Sequence, residues 1–152
     1  MANYHLVILK KSYLQALLTG QKRIESRFTR TRREPFGQVL PGDRLLLKVS
    51  SGPVCAVATV AAVKIFENLA PAKIMEIKQR YNHYIRGSDK YWRSKADCRF
   101  GFLVQLKDVE RIEPVRIHKK DWRAWVILTE KENFGLLKCG AIKKITPGKT
   151  GG

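Results

Sequence analysis

One short segment carries the most suggestive chemistry in the sequence. Gly20-Gln21-Lys22-Arg23-Ile24-Glu25-Ser26-Arg27 reads G-x-K-x-x-E-x-R and sets one carboxylate among cations. Opposite charge on both sides favours the ionised form of Glu25. An ionised carboxylate accepts hydrogen bonds from an exocyclic amine or a ribose hydroxyl, and it can act as a weak general base. Lys22 and Arg27, with Arg23 beside them, could hold a phosphate or polarise a carbonyl. On an open strand the same trio would be a surface ion pair worth about 0–1 kcal/mol. The chemistry therefore requires a concavity, and Lys11, Ser12 and Tyr13 are placed to form its rim.

A second cluster follows at once. Arg30, Arg32 and Arg33 lie in a loop that ends in Pro35-Phe36-Gly37. Such a loop reads as a phosphate clamp, which positions a strand without reading its sequence. Further on, Arg93 and Arg99 are interleaved with Tyr81, Tyr84, Tyr91, Trp92 and Phe100. Cations alternating with flat rings suit single-stranded nucleic acid, through phosphate pairing and base stacking, with Trp92 as the stacking candidate. The bulk charge agrees: 30 Lys+Arg stand against 13 Asp+Glu, a formal net charge of +17. A surface this basic attracts polyanions by releasing their counterions. Acidic membrane lipid is the weaker partner, because no segment reads as a basic amphipathic helix with a clean apolar face.

These residues need elements to hold them. Tyr4 to Leu9 is β-rich and reads as a first strand. Ser12 is placed to cap a short helix bearing Tyr13, Leu14, Leu17 and Leu18 on one face, closed by Gly20. Ile24 to Phe28 alternates, with Glu25 and Arg27 opposite Ile24, Ser26 and Phe28. Pro41-Gly42-Asp43 is a turn that launches Arg44 to Val49. Val54 to Phe66 reads as one long strand or a bent pair. Pro71 opens a helix that runs to Ile85, and Gly87-Ser88 breaks it before a helical turn over 89–95. Phe100 to Val109 is a strand, Val115 to Ile117 a short one, and Trp122 to Thr129 another. On a strand, Trp122 and Trp125 face opposite sides. Gly135 to Ile145 reads as a last strand. The whole is α+β, a small mixed β-barrel flanked by short helices, as one domain over residues 1–145 with a mobile basic tail over 146–152.

Several classes are excluded. Cys55, Cys98 and Cys139 are odd in number and widely spaced, and His5, His83 and His118 are scattered, so neither a disulfide framework nor a zinc site is expected. No metal or cofactor is expected. No apolar run reaches the roughly 18 residues of a membrane span. The first residues lack a basic stretch followed by an apolar one, so reduced thiols in the cytoplasm are the expectation. Gly148-Lys149-Thr150 imitates the end of a phosphate-binding loop but has no upstream glycine and no strand–loop–helix setting.

The G-x-K-x-x-E-x-R element after a strand and a helix beginning Lys10-Lys11-Ser12-Tyr13-Leu14, followed by Pro41-Gly42-Asp43-Arg44-Leu45 and a Val-rich strand, resembles the ASCH domain family, a branch of the PUA-like superfamily. The resemblance covers roughly Leu6 to Leu128. It implies a PUA-like barrel with a cleft at one side, lined by Lys22, Glu25 and Arg27, and work in RNA metabolism, transcription coactivation or nucleoside chemistry. Some small ASCH relatives deacetylate a modified cytidine with a Lys at the position of Lys22, a Thr three residues on and a Glu from the following helical region. Here Glu25 stands where that Thr would be, and the helix end reads Tyr81-Asn82-His83-Tyr84. If the chain is an enzyme, Lys22 and Glu25 are its catalytic candidates.

Three functions stay open on these residues. The first is a module that binds RNA, another single-stranded nucleic acid, or a modified nucleotide or base. The second is a hydrolase acting on a nucleoside or on RNA. The third is an adaptor whose basic face meets an acidic protein. Replacing Arg30, Arg32 and Arg33 together by Ala is expected to weaken RNA binding in a salt-dependent way.

Overall fold

The computed structural model of the chain describes residues 3–117 and 123–128. In chain order the elements are β1 (Tyr4–Leu9), α1 (Lys11–Leu18), β2 (Ile24–Thr29), β3 (Arg44–Val49), β4 (Val54–Phe66), α2 (Pro71–Ile85), α3 (Asp89–Ser94), β5 (Phe100–Val115) and β6 (Trp125–Leu128). The strands form one six-stranded mixed sheet in the order β2-β5-β4-β3-β1-β6. Only the β1–β3 pair is parallel. The sheet curls into a half-barrel flanked by three short helices, an α+β architecture.

The curl has local causes. The β4–β5 ladder shifts register three times, near Val54, Val57 and Val60. Each irregularity adds bend and twist where a regular ladder would stay flat. Strand β3 sits mid-sheet between two apolar clusters, so Leu45, Leu46 and Leu47 are all buried without alternation. Burying each such side chain contributes about 1.5–3 kcal/mol. Val7, Leu14, Leu17, Phe102, Val104 and Trp125 belong to the cluster on the concave side. Helices α2 and α3 cover the opposite face of β2 and β5 with Ile74, Ile77, Ile85 and Trp92 against Phe28 and Leu103.

Some boundaries differ from those read in the sequence. Helix α1 is not capped by Ser12. Lys10 continues the extended conformation of β1, and its carbonyl accepts from the Tyr13 and Leu14 amides, so Ser12 lies inside the helix with an exposed side chain. Gly20 does take the left-handed conformation that follows the helix, at φ 83°. The strand starting at Phe100 does not stop at Val109 but runs to Val115. Asp108 enters the left-handed region at φ 51° and absorbs an extra residue in the ladder instead of turning the chain. Among the described residues, the strand around Trp125 spans Trp125–Leu128, and 123–124 are outside it. Trp122, His118, Cys139, the strand expected over 135–145 and the tail over 146–152 lie outside the described residues. No helix among the described residues is long and apolar enough to cross a membrane.

Candidate functional site

The motif becomes a site because β2 runs along an edge of the half-barrel. Glu25 pairs with Val104 of β5 and Arg27 with Phe102. Residues directly opposite in an antiparallel pair share a face. Glu25 and Arg27 therefore project toward the concave core that holds Phe102 and Val104, at its open end. Ser26 and Phe28 take the other face, toward α3 and α2. The segment before β2 is pinned on both sides. The Lys22 amide donates to Ala16 at the end of α1, and the Arg23 amide donates to Tyr84 at the end of α2.

The result is a cavity of about 540 Å3 between the end of β1, α1, β2 and the α2–α3 corner. Its floor is ionic. Lys22 is 2% exposed and Glu25 5%. The Lys22 ammonium lies 3.2 Å from Glu25 Oε1 and donates to the Ile85 carbonyl at 2.6 Å. Arg27 Nη2 donates to Glu25 Oε2 at 2.7 Å. The carboxylate is thus held from both ends, each oxygen by a different cation. A buried charge held this way is compensated, whereas removing one partner strands the other. Burial pulls the Lys22 ammonium below its usual range, more strongly than Glu25 restores it, and Arg27 pushes the same way. The floor thus holds an ammonium that gives up its proton more readily than a surface lysine.

Two tyrosines form the walls. The Tyr13 ring lies 4.8 Å from Lys22 Nζ. Tyr91 shares a 2.7 Å hydrogen bond with the Ser26 hydroxyl. Both phenols are pushed above their ordinary range by burial first and by the Glu25 charge second for Tyr13. They are neutral hydroxyls at physiological pH. Lys10, Lys90 and Lys95 ring the mouth. Lys10 lies over the Tyr13 ring and Lys95 over the Tyr91 ring, 6.0 and 5.3 Å from the centroids. The lining contains five cations (Lys10, Lys22, Arg27, Lys90, Lys95) and one carboxylate, Glu25. Such a hollow favours an anion that also offers a flat or hydroxylated part to the tyrosines and serines. No group of three His, Cys, Asp or Glu able to hold a metal occurs among the described residues.

The candidates from the sequence are distributed unevenly. Lys22, Glu25, Arg27 and Tyr13 line the cavity; Lys11, Ser12 and Arg23 do not. Arg23 donates to the Gly20 carbonyl and stacks on Tyr84. The arginine loop lies outside the cavity walls. Arg30 pairs with Asp97, and Arg32 pairs with Glu67 while lying over Phe36 and Phe100. Arg33, Arg93 and Arg99 are exposed and away from the cavity. Trp92 is not an open stacking platform. It is 4% exposed, packed against Phe28, and its indole N–H donates to Asn82. Its ring packs into the apolar cluster with Phe28, Ile77 and Leu103, beside Tyr91 of the same helix.

Sequence reading missed Tyr91, Ser26, Lys10, Lys90 and Lys95 as cavity residues, and Asn82 as the clasp of the corner beside it. Asn82 accepts from the Gly87 amide and the Trp92 indole and donates to the Gly87 carbonyl. Ser88 caps α3 by accepting from the Tyr91 amide, which fixes where the Tyr91 ring stands. The Gly87-Ser88 pair was the available signal, since a break followed by a capping serine starts a new helix.

No family model and no curated protein matches the sequence. Solved structures do. The ASCH protein from Zymomonas mobilis superposes with a TM-score of 0.66 at 16% identity, over 85% of this chain and 90% of its own. A tyrosine-to-phenylalanine variant and a serine-to-alanine variant of that protein give the same TM-score and identity over 85% of this chain, covering 92% and 90% of theirs. The chain therefore has the fold of the ASCH protein of Zymomonas mobilis, with its own cleft built on the G-x-K-x-x-E-x-R segment.

Proposed function

We propose that the chain is an ASCH-domain protein whose cleft binds RNA, or a modified nucleotide or base, in the cytoplasm. The observation that carries this reading is the charge balance of an open-mouthed hollow: five cations and two tyrosines surround a single carboxylate. A nucleotide meets each part. Its phosphate faces the lysines of the mouth, its base or ribose meets the tyrosines, and Glu25 accepts from an amine or hydroxyl that displaces one of its present partners. A cavity of 540 Å3 falls within the roughly 300–1,000 Å3 range of small-molecule sites, so one nucleotide unit fits. The test is fluorescence anisotropy of a short labelled oligouridylate against wild type and Arg27→Ala, at about 50 and about 200 mM salt. Binding that weakens steeply with salt and drops in Arg27→Ala supports the reading. Salt-independent binding, or none, rejects it.

A second reading is favoured by one observation. Lys22 is buried, easier to deprotonate than a surface lysine, and 3.2 Å from a carboxylate. That is a proton-transfer pair suited to an amide or phosphodiester hydrolase. Turnover of the bound nucleotide or RNA, abolished in a folded Lys22→Met variant, would select this reading over simple binding.

A further inference from the structure

Among the described residues, the edges of the sheet are β2 and β6. Arg27 of β2 reaches over to β6: its guanidinium carbon lies 5.3 Å from the centre of the Trp125 ring. Its Nη2 also points at the Ile8 carbonyl at a long 3.4 Å. Trp125 is 4% exposed and packs edge-on against Phe102. Its indole N–H donates to His5 Nδ1 at 3.1 Å. An indole nitrogen only donates, so Nδ1 is bare and the imidazole proton sits on Nε2. That proton is donated to Asp43 Oδ2 at 2.8 Å. Asp43 is itself fixed, accepting from the Asn3 and Leu40 amides. His5 is fully buried and Asp43 is 2% exposed.

We propose that Asp43, His5 and Trp125 are positioning residues for the cleft: they form a relay that sets the tautomer of His5, the orientation of the Trp125 ring and, through the ring face, the place of the Arg27 guanidinium on Glu25. The relay lies on the β1–β6 side of the sheet, and the Arg27–Trp125 contact carries it across to β2. Backbone hydrogen bonds tie every neighbouring strand pair in the described sheet, whereas Arg27 meets Trp125 through side chains alone. A guanidinium against an indole face is attracted by the ring quadrupole, and the attraction grows as water is excluded. Arg27 without that face keeps its tie to Glu25 but gains rotational freedom, and Glu25 then loses the fixed geometry it presents to a ligand.

The consequence for binding rests on the nucleotide reading of the cleft, so the experiment separates the two. In isotope-labelled wild-type protein, nitrogen spectra of His5 are expected to show a bare Nδ1 and a protonated Nε2. The Arg27 side-chain N–H signal is expected upfield of the other arginines, shielded by the indole. Trp125→Phe keeps a ring but has no N–H for His5. Its Arg27 signal is expected to move toward the ordinary range, and affinity for the labelled oligouridylate to fall about 5-fold. Trp125→Leu removes the face and is expected to lose about 10-fold or more. A His5 protonated on Nδ1, or an Arg27 signal identical in wild type and Trp125→Phe, overturns the relay whatever RNA does. A moved Arg27 signal with unchanged RNA affinity overturns its role in the cleft. If Trp125→Leu does not fold, the wild-type and Trp125→Phe spectra decide. Wild-type protein that ignores the oligouridylate rejects the nucleotide reading, and the relay is then judged on the spectra alone.

Discussion

Lys22 and Glu25 form a buried pair in which each partner's absence has a different cost. Glu25→Ala leaves the Lys22 ammonium in the floor with the Ile85 carbonyl and the Tyr13 ring but no counter-charge, beside a second cation. That loss is expected to destabilise the fold by roughly 3–5 kcal/mol. Lys22→Met keeps the length and apolar stem, leaves Glu25 on Arg27, and is expected to cost clearly less. Urea midpoints of the two variants check the order. His5 gives the pH dependence. Burial holds it below its ordinary value of 6.5, against the support of Asp43. The unfolded chain therefore binds the proton first as pH falls through 6.5. Stability is expected to be fully present above that value and to decline through the window between it and the lower folded value. Urea midpoints across that window in wild type and His5→Gln are the measurement, and the decline is expected to be shallower in the variant. The sequence showed Lys22, Glu25 and Arg27 because they are close along the chain. It did not show the contacts that surround them, because Ile85 is 63 positions from Lys22, Tyr91 is 65 from the neighbouring Ser26, and Trp125, which faces Arg27, is 120 from His5.

The elements were legible where one face is buried and the other is wet. Helix α2 follows its periodicity plainly, with Ile74, Ile77 and Ile85 buried and Pro71 in its first turn, whereas β2 is covered on both faces and shows its alternation only in residue type. Strand β5 was cut short because Lys107-Asp108-Val109-Glu110-Arg111 looks like a polar turn. In the fold those side chains are mostly exposed while the backbone stays in the ladder, and one left-handed residue at Asp108 suffices to bend it. Trp92 was misplaced for a related reason. A basic, aromatic composition describes a face and says nothing of which ring turns inward. Two glycines report how tightly these elements meet. A Cβ on Gly101 would lie 2.4 Å from the Phe28 ring, and one on Gly87 would lie 2.8 Å from Tyr91 and 2.9 Å from the Trp92 indole nitrogen. Gly101→Ala is expected to cost about 1–3 kcal/mol by overpacking. Gly87→Ala is expected to shift Tyr91 out of the cavity wall, so ligand affinity falls along with stability. Thermal melts and anisotropy on both variants distinguish the two: Gly101→Ala should change mainly the melt.

At the scale of the molecule, the net charge of +17 is not spent evenly. Arg30 and Arg32, the obvious clamp in the sequence, already have carboxylate partners in Asp97 and Glu67. A phosphate meeting them must compete with those acids, so few condensed counterions are released per arginine. Lys10, Lys90 and Lys95 stand at the cavity mouth and are held by no ion pair among the described residues. For single strands each neutralised phosphate contributes about 0.7 to the slope of log affinity against log salt. Replacing the three lysines together by Ala is expected to lower that slope by about 2. Replacing Arg30, Arg32 and Arg33 together is expected to weaken RNA binding while lowering the slope by clearly less, since two of those charges are internally balanced. Anisotropy titrations across salt on the two triple variants measure both slopes. Equal reductions would mean that the loop arginines abandon Asp97 and Glu67 when RNA arrives, and that the path of the strand extends from the cavity mouth over the arginine loop.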